Sequence, residues 1–272
     1  KDPRNPSGEV RTPIRNRVKP VEAAAPAFSP NNNVPNPVVP PKTVVVNTVK
    51  KMRHNLFVNY YIDKNKDRQE ELNSCIIKNI DVFDSIIVVS SKKDADLLMS
   101  KVDKDKKAKV VKVECEVRPS FSDYFVLISV FNAKENLNVI ANLDIIFEKE
   151  MLIAAEDYVK SEKTLNCLAL TRWDIKPSGE AEFYNHADSQ DVWIFQGDVD
   201  TIAEADFPLG KPGCDNKIAF LLEKAGYNVL NPSLTIKTFH KHLVEVRNYL
   251  NEKGEQFEPG IPPPYKILTP TL

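Results

Sequence analysis

The chain reads as an α/β protein: a mainly parallel central sheet flanked by helices, preceded by an extended, proline-rich N-terminal arm. Three observations predict this. From Arg53 onward, short apolar runs alternate with amphipathic stretches, and parallel neighbours in a sheet need such crossover connections. Apolar residues make up 42% of 272 positions, enough for a sizeable core. The first 50 residues hold 10 of the 20 prolines and a single aromatic, Phe28, so they cannot build a core of their own.

Taken in order, residues 1–52 form the arm. Its first 50 residues carry eight Lys/Arg against three Asp/Glu, a net of +5 that leaves −6 for the rest of the chain. A flexible tether fits that composition, and so does an arm ordered on a protein partner, with "KTVVVNTV" (42–49) as its strand-like piece. Residues 53–250 form the folded domain. "NLFVNYYI" (55–62) is its first strand, and "DRQEELNSCIIKNI" (67–80) a helix with Leu72, Cys75, Ile76 and Ile80 on one face and Asp67 as N-cap. "SIIVVS" (85–90) is the second strand, "DADLLMSKV" (94–102) a helix, and "AKVVKVE" (108–114) the third strand. "FSDYFVLISVFN" (121–132) is a helix and "NVIANLDIIF" (138–147) the fourth strand. Beyond these come "LNCLALTRWDI" (165–175), a strand running into the polar turn "KPSGE", and the strand "VWIF" behind "DSQD". A Gly/Pro-rich loop then opens a helix over 215–225, with Ile218, Phe220, Leu221 and Leu222 as its apolar face and Gly226 as its stop. "NVLNPSLTIKTFHKH" (228–242) is strand, turn and strand. Residues 251–272 are an extended, proline-rich tail.

The totals exclude several functions. A net charge of −1 gives no global attraction to nucleic acid or to anionic membrane. No apolar run approaches the roughly 20 residues that span a bilayer. Cys75, Cys115, Cys167 and Cys214 are far apart, with no C-x-x-C, and read as free thiols in a reducing compartment. The expected location is the cytoplasm, or a membrane or larger assembly reached through a segment before Lys1. There is no G-x-x-x-x-G-K-[ST] loop, no G-x-G-x-x-G and no G-x-S-x-G elbow, which sets aside nucleoside-triphosphatase, dinucleotide oxidoreductase and α/β-hydrolase chemistry.

Four clusters carry candidate chemistry. Asn142 and Asp144, two apart on a strand, can face one ligand, and their oxygens suit a hard cation such as Mg²⁺ or Mn²⁺ on a diphosphate. Asp144 could equally cap a helix. In "PGCDN" (212–216), Asp215 stands at a helix N-terminus, either as a dipole-favoured cap or as a carboxylate held against a substrate. His240 and His242 share a face if extended and could be metal ligands or structural. Asp191 precedes Trp193 and Phe195, which line an acceptor platform or belong to the core.

In this order, the pieces resemble glycosyltransferases of the GT-A, nucleotide-diphosphosugar-transferase type. "NLFVNYYIDKNKDRQEELNSCIIKNIDVFDSIIVV" is similar to their nucleotide-holding opening, and "ANLDIIF" to the acidic metal motif with its first acid replaced by Asn142. "GKPGCDNKIAFLLEKAGYNV" is similar to the later Gly-x-Asp-Asn/Asp segment, and "TFHKH" to the place of a further metal ligand. The resemblance spans roughly residues 54–249. It implies a nucleotide sugar over the carboxyl ends of strands one to four, with Asn59, Tyr60 and Ser90 beside base and ribose. It further implies a divalent cation (Mn²⁺ or Mg²⁺) held by Asp144 with Asn142 and His240 or His242. Asp215, with Asp191 as second candidate, becomes the general base on a glycan, protein or other hydroxyl acceptor. A non-catalytic structural or binding protein on the same fold, attached to an assembly through its arm, is the alternative.

Overall fold

The structure is a computed structural model that describes residues 51–131, 136–160, 164–199, 201–244 and 259–272. The arm with its 42–49 segment, and the passage between domain and tail at 245–258, lie outside the described residues.

A seven-stranded sheet forms the centre. Its strands are β1 (His54–Asn59), β2 (Ser85–Ser90), β3 (Val110–Glu114), β4 (Leu137–Ala141), β6 (Leu165–Leu170), β9 (Val192–Gln196) and β10 (Tyr227–Leu230). They lie in the order β10-β6-β9-β4-β1-β2-β3, and only β9 runs against its neighbours. This is the mainly parallel α/β class that the alternation predicts. A second, four-stranded sheet is built from β5 (Ile145–Ile146), β7 (Trp173–Ile175), β8 (Ala181–Phe183) and β11 (Phe239–His240), in the order β5-β11-β7-β8.

Strand alternation sorts the core onto two faces. Leu56, Val58, Ile86, Val88, Val139 and Ile194 pack beneath α1 (Lys66–Val82), α2 (Lys92–Lys101) and α4 (Lys149–Val159). Phe57, Ile87, Val89, Ile140, Trp193 and Phe195 pack beneath α3 (Phe121–Val130) and α5 (Cys214–Lys224). Trp193 and Phe195 are therefore core residues, and Trp193 meets Phe121 edge-on at 5.1 Å between ring centres. The four cysteines are buried. Among the described residues, no helix is long and apolar enough to cross a membrane.

Three local expectations are corrected. The cap of α1 is Asn65, whose side chain accepts from the Arg68 amide at 3.0 Å, and Asp67 stands in the first turn instead. The "LTRWDI" run is not one strand: it breaks at Thr171, whose amide is taken by the Ser233 hydroxyl (2.9 Å), and resumes in the second sheet. The third concerns "NVIANLDIIF". β4 stops at Ala141, and residues 142–144 turn the chain so that Ile145 and Ile146 pair antiparallel with β11. Asn142 and Asp144 thus do not share a strand face.

Candidate functional site

That turn is what places Asp144. It leaves the carboxyl end of β4 and lines a cavity of about 490 Å³, within the range usual for small-molecule sites. The cavity lies where open α/β sheets bind ligands, outside the carboxyl ends of the strands. Its wall includes Asn59, Tyr61, Arg68, Arg118, Asn142, Asp144, Arg172, Tyr184, Asp191, Lys211, Asp215, His240 and His242.

Around Asp144 the partners are cationic. The Arg68 guanidinium pairs with Asp144 Oδ2, while its Nη1 reaches Glu71 (3.0 Å) and the Lys241 carbonyl (2.9 Å). His240 Nε2 lies 3.2 Å and His242 Nδ1 3.9 Å from the same oxygen. One ligand atom from each of Asp144, His240 and His242 falls within 4.8 Å of the others, so these candidate ligands converge. Burial alone would raise the Asp144 carboxyl; His240, Arg68 and His242 overcome it and hold it well below the usual range. Burial would likewise lower His240, but the Asp144 and Asp174 carboxylates push it up to about 9. Its Nδ1 stands 2.7 Å from Asp174 Oδ1, the outer carboxylate that orients a histidine ligand and turns Nε2 toward the site. One carboxylate and two imidazoles, one of them oriented in this way, fit a divalent cation. Protons and Arg68 would compete with that cation for Asp144.

From Asp174 the chain of charges continues. Arg172 donates to Asp174 (3.0 Å), to Ser189 (3.2 Å) and to Asp191 (2.9 Å), with its guanidinium 3.9 Å over the Tyr184 ring. Asp191 is held on its other oxygen by the Asn142 amide at 2.7 Å. Asn142 therefore spends its side chain on Asp191 rather than joining Asp144.

Asp215 opens α5 after the loop containing Gly210 and Gly213, whose φ values of 73° and 78° suit glycine. Its Oδ1 accepts from the Cys214 thiol at 3.0 Å. Burial and the neighbouring Asp191 charge push its carboxyl up to about 7. The loop also makes room for a cation: a Cβ at Gly210 would stand 2.4 Å from Arg118 Nη2.

Asn59 lines the cavity, but Tyr60 and Ser90 do not. Tyr60 is buried, donating its hydroxyl to Asn73 (2.8 Å), and Ser90 donates to the Ser91 carbonyl (3.0 Å). The residues that sequence reasoning missed are Arg68, Arg118, Arg172 and Asp174. Arg68 carried one usable signal, an Arg-x-x-Glu spacing on a helix face that follows strand one. The other three have none, because their roles depend on loops brought together from distant parts of the chain.

No known family profile matches the chain, and no curated protein matches it. Among solved structures, it is similar to a mannosyltransferase from Pyrobaculum calidifontis in complex with GDP-Man and Mn²⁺, at 13% identity and TM-score 0.46, covering 74% of this chain and 59% of that one. It is also similar to S. aureus TarS in complex with UDP-GlcNAc, at 12% identity and TM-score 0.43, covering 72% and 60%. A third is 4-diphosphocytidyl-2C-methyl-D-erythritol synthase from Anaerococcus prevotii, at 14% identity and TM-score 0.39, covering 66% and 87%. The chain spans about three fifths of the two transferase structures.

Proposed function

We propose that the protein transfers a sugar from a nucleotide-sugar donor to an acceptor hydroxyl. One observation carries this reading: the Asp144, His240 and His242 donors and the Asp215 carboxyl, raised to about 7, open onto the same cavity at the strand ends. Asn59 and Tyr61 contact the base and ribose, with Tyr60 and Ser90 packed outside the cavity lining. A divalent cation, Mn²⁺ or Mg²⁺, held by Asp144, His240 and His242 would supply a Lewis acid for the leaving diphosphate. Arg68, Arg118, Arg172 and Lys211 line the cavity and attract the phosphates electrostatically. Asp215 accepts the proton of the acceptor hydroxyl, its affinity for that proton being near the working pH. Asp191, clamped between Asn142 and Arg172, orients the acceptor. The arm carries the domain to a protein partner.

Isothermal titration with UDP- and GDP-sugars, with and without Mn²⁺, tests the assignment. We expect one nucleotide class to bind, and Mn²⁺ to tighten it about tenfold or more, as neutralisation of a diphosphate requires. Failure to bind any sugar nucleotide overturns it. A second reading, a non-catalytic binding protein on the same fold, is favoured by one observation. Asp144 already has an ion partner in Arg68, and Asn142 stands where a second acid would strengthen the metal site. Donor binding without Mn²⁺ dependence or turnover would select it.

A further inference from the structure

Residues 259–272 run without regular secondary structure past the 212–216 segment, Ala187 and Asn231. The Ile261 amide donates to the Pro212 carbonyl (2.8 Å) and the Lys266 amide to the Asn216 carbonyl (2.9 Å), so the segment grips the chain on both sides of Asp215. The Tyr265 hydroxyl donates to the Ile261 carbonyl, and Lys266 Nζ pairs with Glu223 on α5. Further on, the Leu268 amide donates to the Ala187 carbonyl (3.0 Å), shortly before Ser189 and Asp191. Asn231 donates to the Leu268 carbonyl (2.9 Å) and to the Thr171 hydroxyl (3.0 Å), next to Arg172.

Two glycines show that this contact is built into the sequence. A Cβ at Gly213 would meet the Tyr265 hydroxyl at 2.8 Å and the Ile261 carbonyl at 2.9 Å, and one at Gly260 would meet the Pro212 carbonyl at 3.1 Å. Meanwhile α5 has no side-chain N-cap at Gly213, and the Asp215 carboxylate is held by the Gln190 backbone amide and the Cys214 thiol.

We propose that the C-terminal strap is a positioning element of the site: Tyr265 and Lys266 clamp the 212–216 loop and fix Asp215 against the acceptor. This rests on Asp215 being the base. Misplacement of a reacting group by about 1 Å costs on the order of a hundredfold in rate, so a base on an uncapped helix start gains most from such a clamp.

Two variants test it: Tyr265→Ala in the full chain, and a chain ending at residue 258. Tyr265 is 43% exposed, so its loss leaves the core intact. Tyr265→Ala should raise amide hydrogen exchange over 213–217 about tenfold and lower kcat by a similar factor. Donor Kd should stay within about twofold and the melting temperature within a few degrees. The shortened chain should show more of the same, and adding the 259–272 peptide should restore both protection and turnover. Unchanged exchange over 213–217 in both variants overturns the clamp, whether or not the parent transfers sugar. Donor affinity falling in step with kcat overturns it as well, because the strap would then be general scaffolding. A parent that binds no sugar nucleotide removes the base assignment alone, and faster exchange would still support a clamp on the loop.

Discussion

Asp144 and Asp215 stand in the wall of one cavity, and burial pushes both toward protonation, yet they end far apart. Asp144 meets Arg68, His240 and His242, which keep it an anion throughout the physiological range. Asp215 meets Asp191, a like charge, and its carboxyl rises to about 7. The difference lies in the partners that the turn after β4 and the glycine loop before α5 supply. A carboxylate held charged suits a cation or phosphate counter-charge; one poised near neutrality suits proton transfer. Their neighbours therefore give two carboxyl groups in one cavity wall opposite charge preferences.

The largest effect should come from breaking the anionic end. Asp144→Asn is expected to abolish Mn²⁺-dependent nucleotide binding in titration. It should also destabilise, because the Arg68 guanidinium, itself only 5% exposed, keeps Glu71 but loses one of its two carboxylate partners, and His240 and His242 lose the same carboxylate. Breaking a buried pair costs on the order of 3 kcal/mol, roughly 6–12 °C in a domain of this size. Parent-like binding would reduce Asp144 to a structural ion pair.

Asp215→Asn comes next and should do the opposite to stability. Turnover should fall about a hundredfold or more with donor affinity kept, as for loss of a general base. The unfolded carboxyl ionises near pH 3.9, whereas the folded one resists until about 7. The group costs nothing below about pH 4, costs progressively more as pH rises to 7, and its full cost persists above. The variant should thus melt with the parent at pH 4 and above it at pH 8. Parallel melting curves across that range would contradict the raised carboxyl.

The metal-free protein gives a third, smaller contrast. His240, raised from about 6.5 to about 9, contributes stability that is complete below about pH 6.5 and lost as pH climbs through 9. Asp174, lowered to about 2, contributes stability present above about pH 3.9 and lost as pH falls toward 2. Thermal melting in chelator should therefore be highest between about pH 4 and 6.5. Added Mn²⁺ should raise stability most on the alkaline side, where the imidazoles are free of protons. A flat profile in chelator would mean that His240 is not clamped between two carboxylates.

How much of this was legible in the sequence follows from how local each signal is. The first three strands and the helices between them are legible to within about three residues at each end, because Ile86–Val89 and Leu72/Ile76/Ile80 declare their periods within a few positions. Asp144, His240, His242 and Asp215 stand out in the sequence as isolated acids or paired histidines, and the structure brings all four to one cavity. The environments were not legible. Asn142 looked like a co-ligand of Asp144 under strand periodicity, and nothing within the segment says that β4 ends at Ala141. Arg172 reads as an ordinary polar residue in "LTRWDI". Its link between Asp174 and Asp191 exists only once β7, β9 and β11 are folded together.

The smallest effect should fall on Asp191, which acts on Asp215 through its charge. Its carboxylate is fixed from both sides, by Asn142 and by Arg172, and is 7% exposed, so it has little freedom to meet an acceptor proton. In Asp191→Asn only Arg172 loses a carboxylate, and it keeps Asp174, so destabilisation should be milder than in Asp144→Asn, where Arg68, His240 and His242 lose one together. The acceptor KM should rise a few-fold, with kcat at pH 8 within about threefold of the parent, since an orienting contact is lost and the base remains. Loss of the like charge should also relax the pressure on Asp215, whose carboxyl is pushed up to about 7, so the acid limb of the kcat profile should move below the parent's. That shift connects Asp191 to Asp215 through charge alone, and a loss of acceptor contact without coupling would not produce it. Turnover lost at Asp191 and kept at Asp215, with the acid limb unmoved, would exchange their roles and make the residue between Asn142 and Arg172 the base.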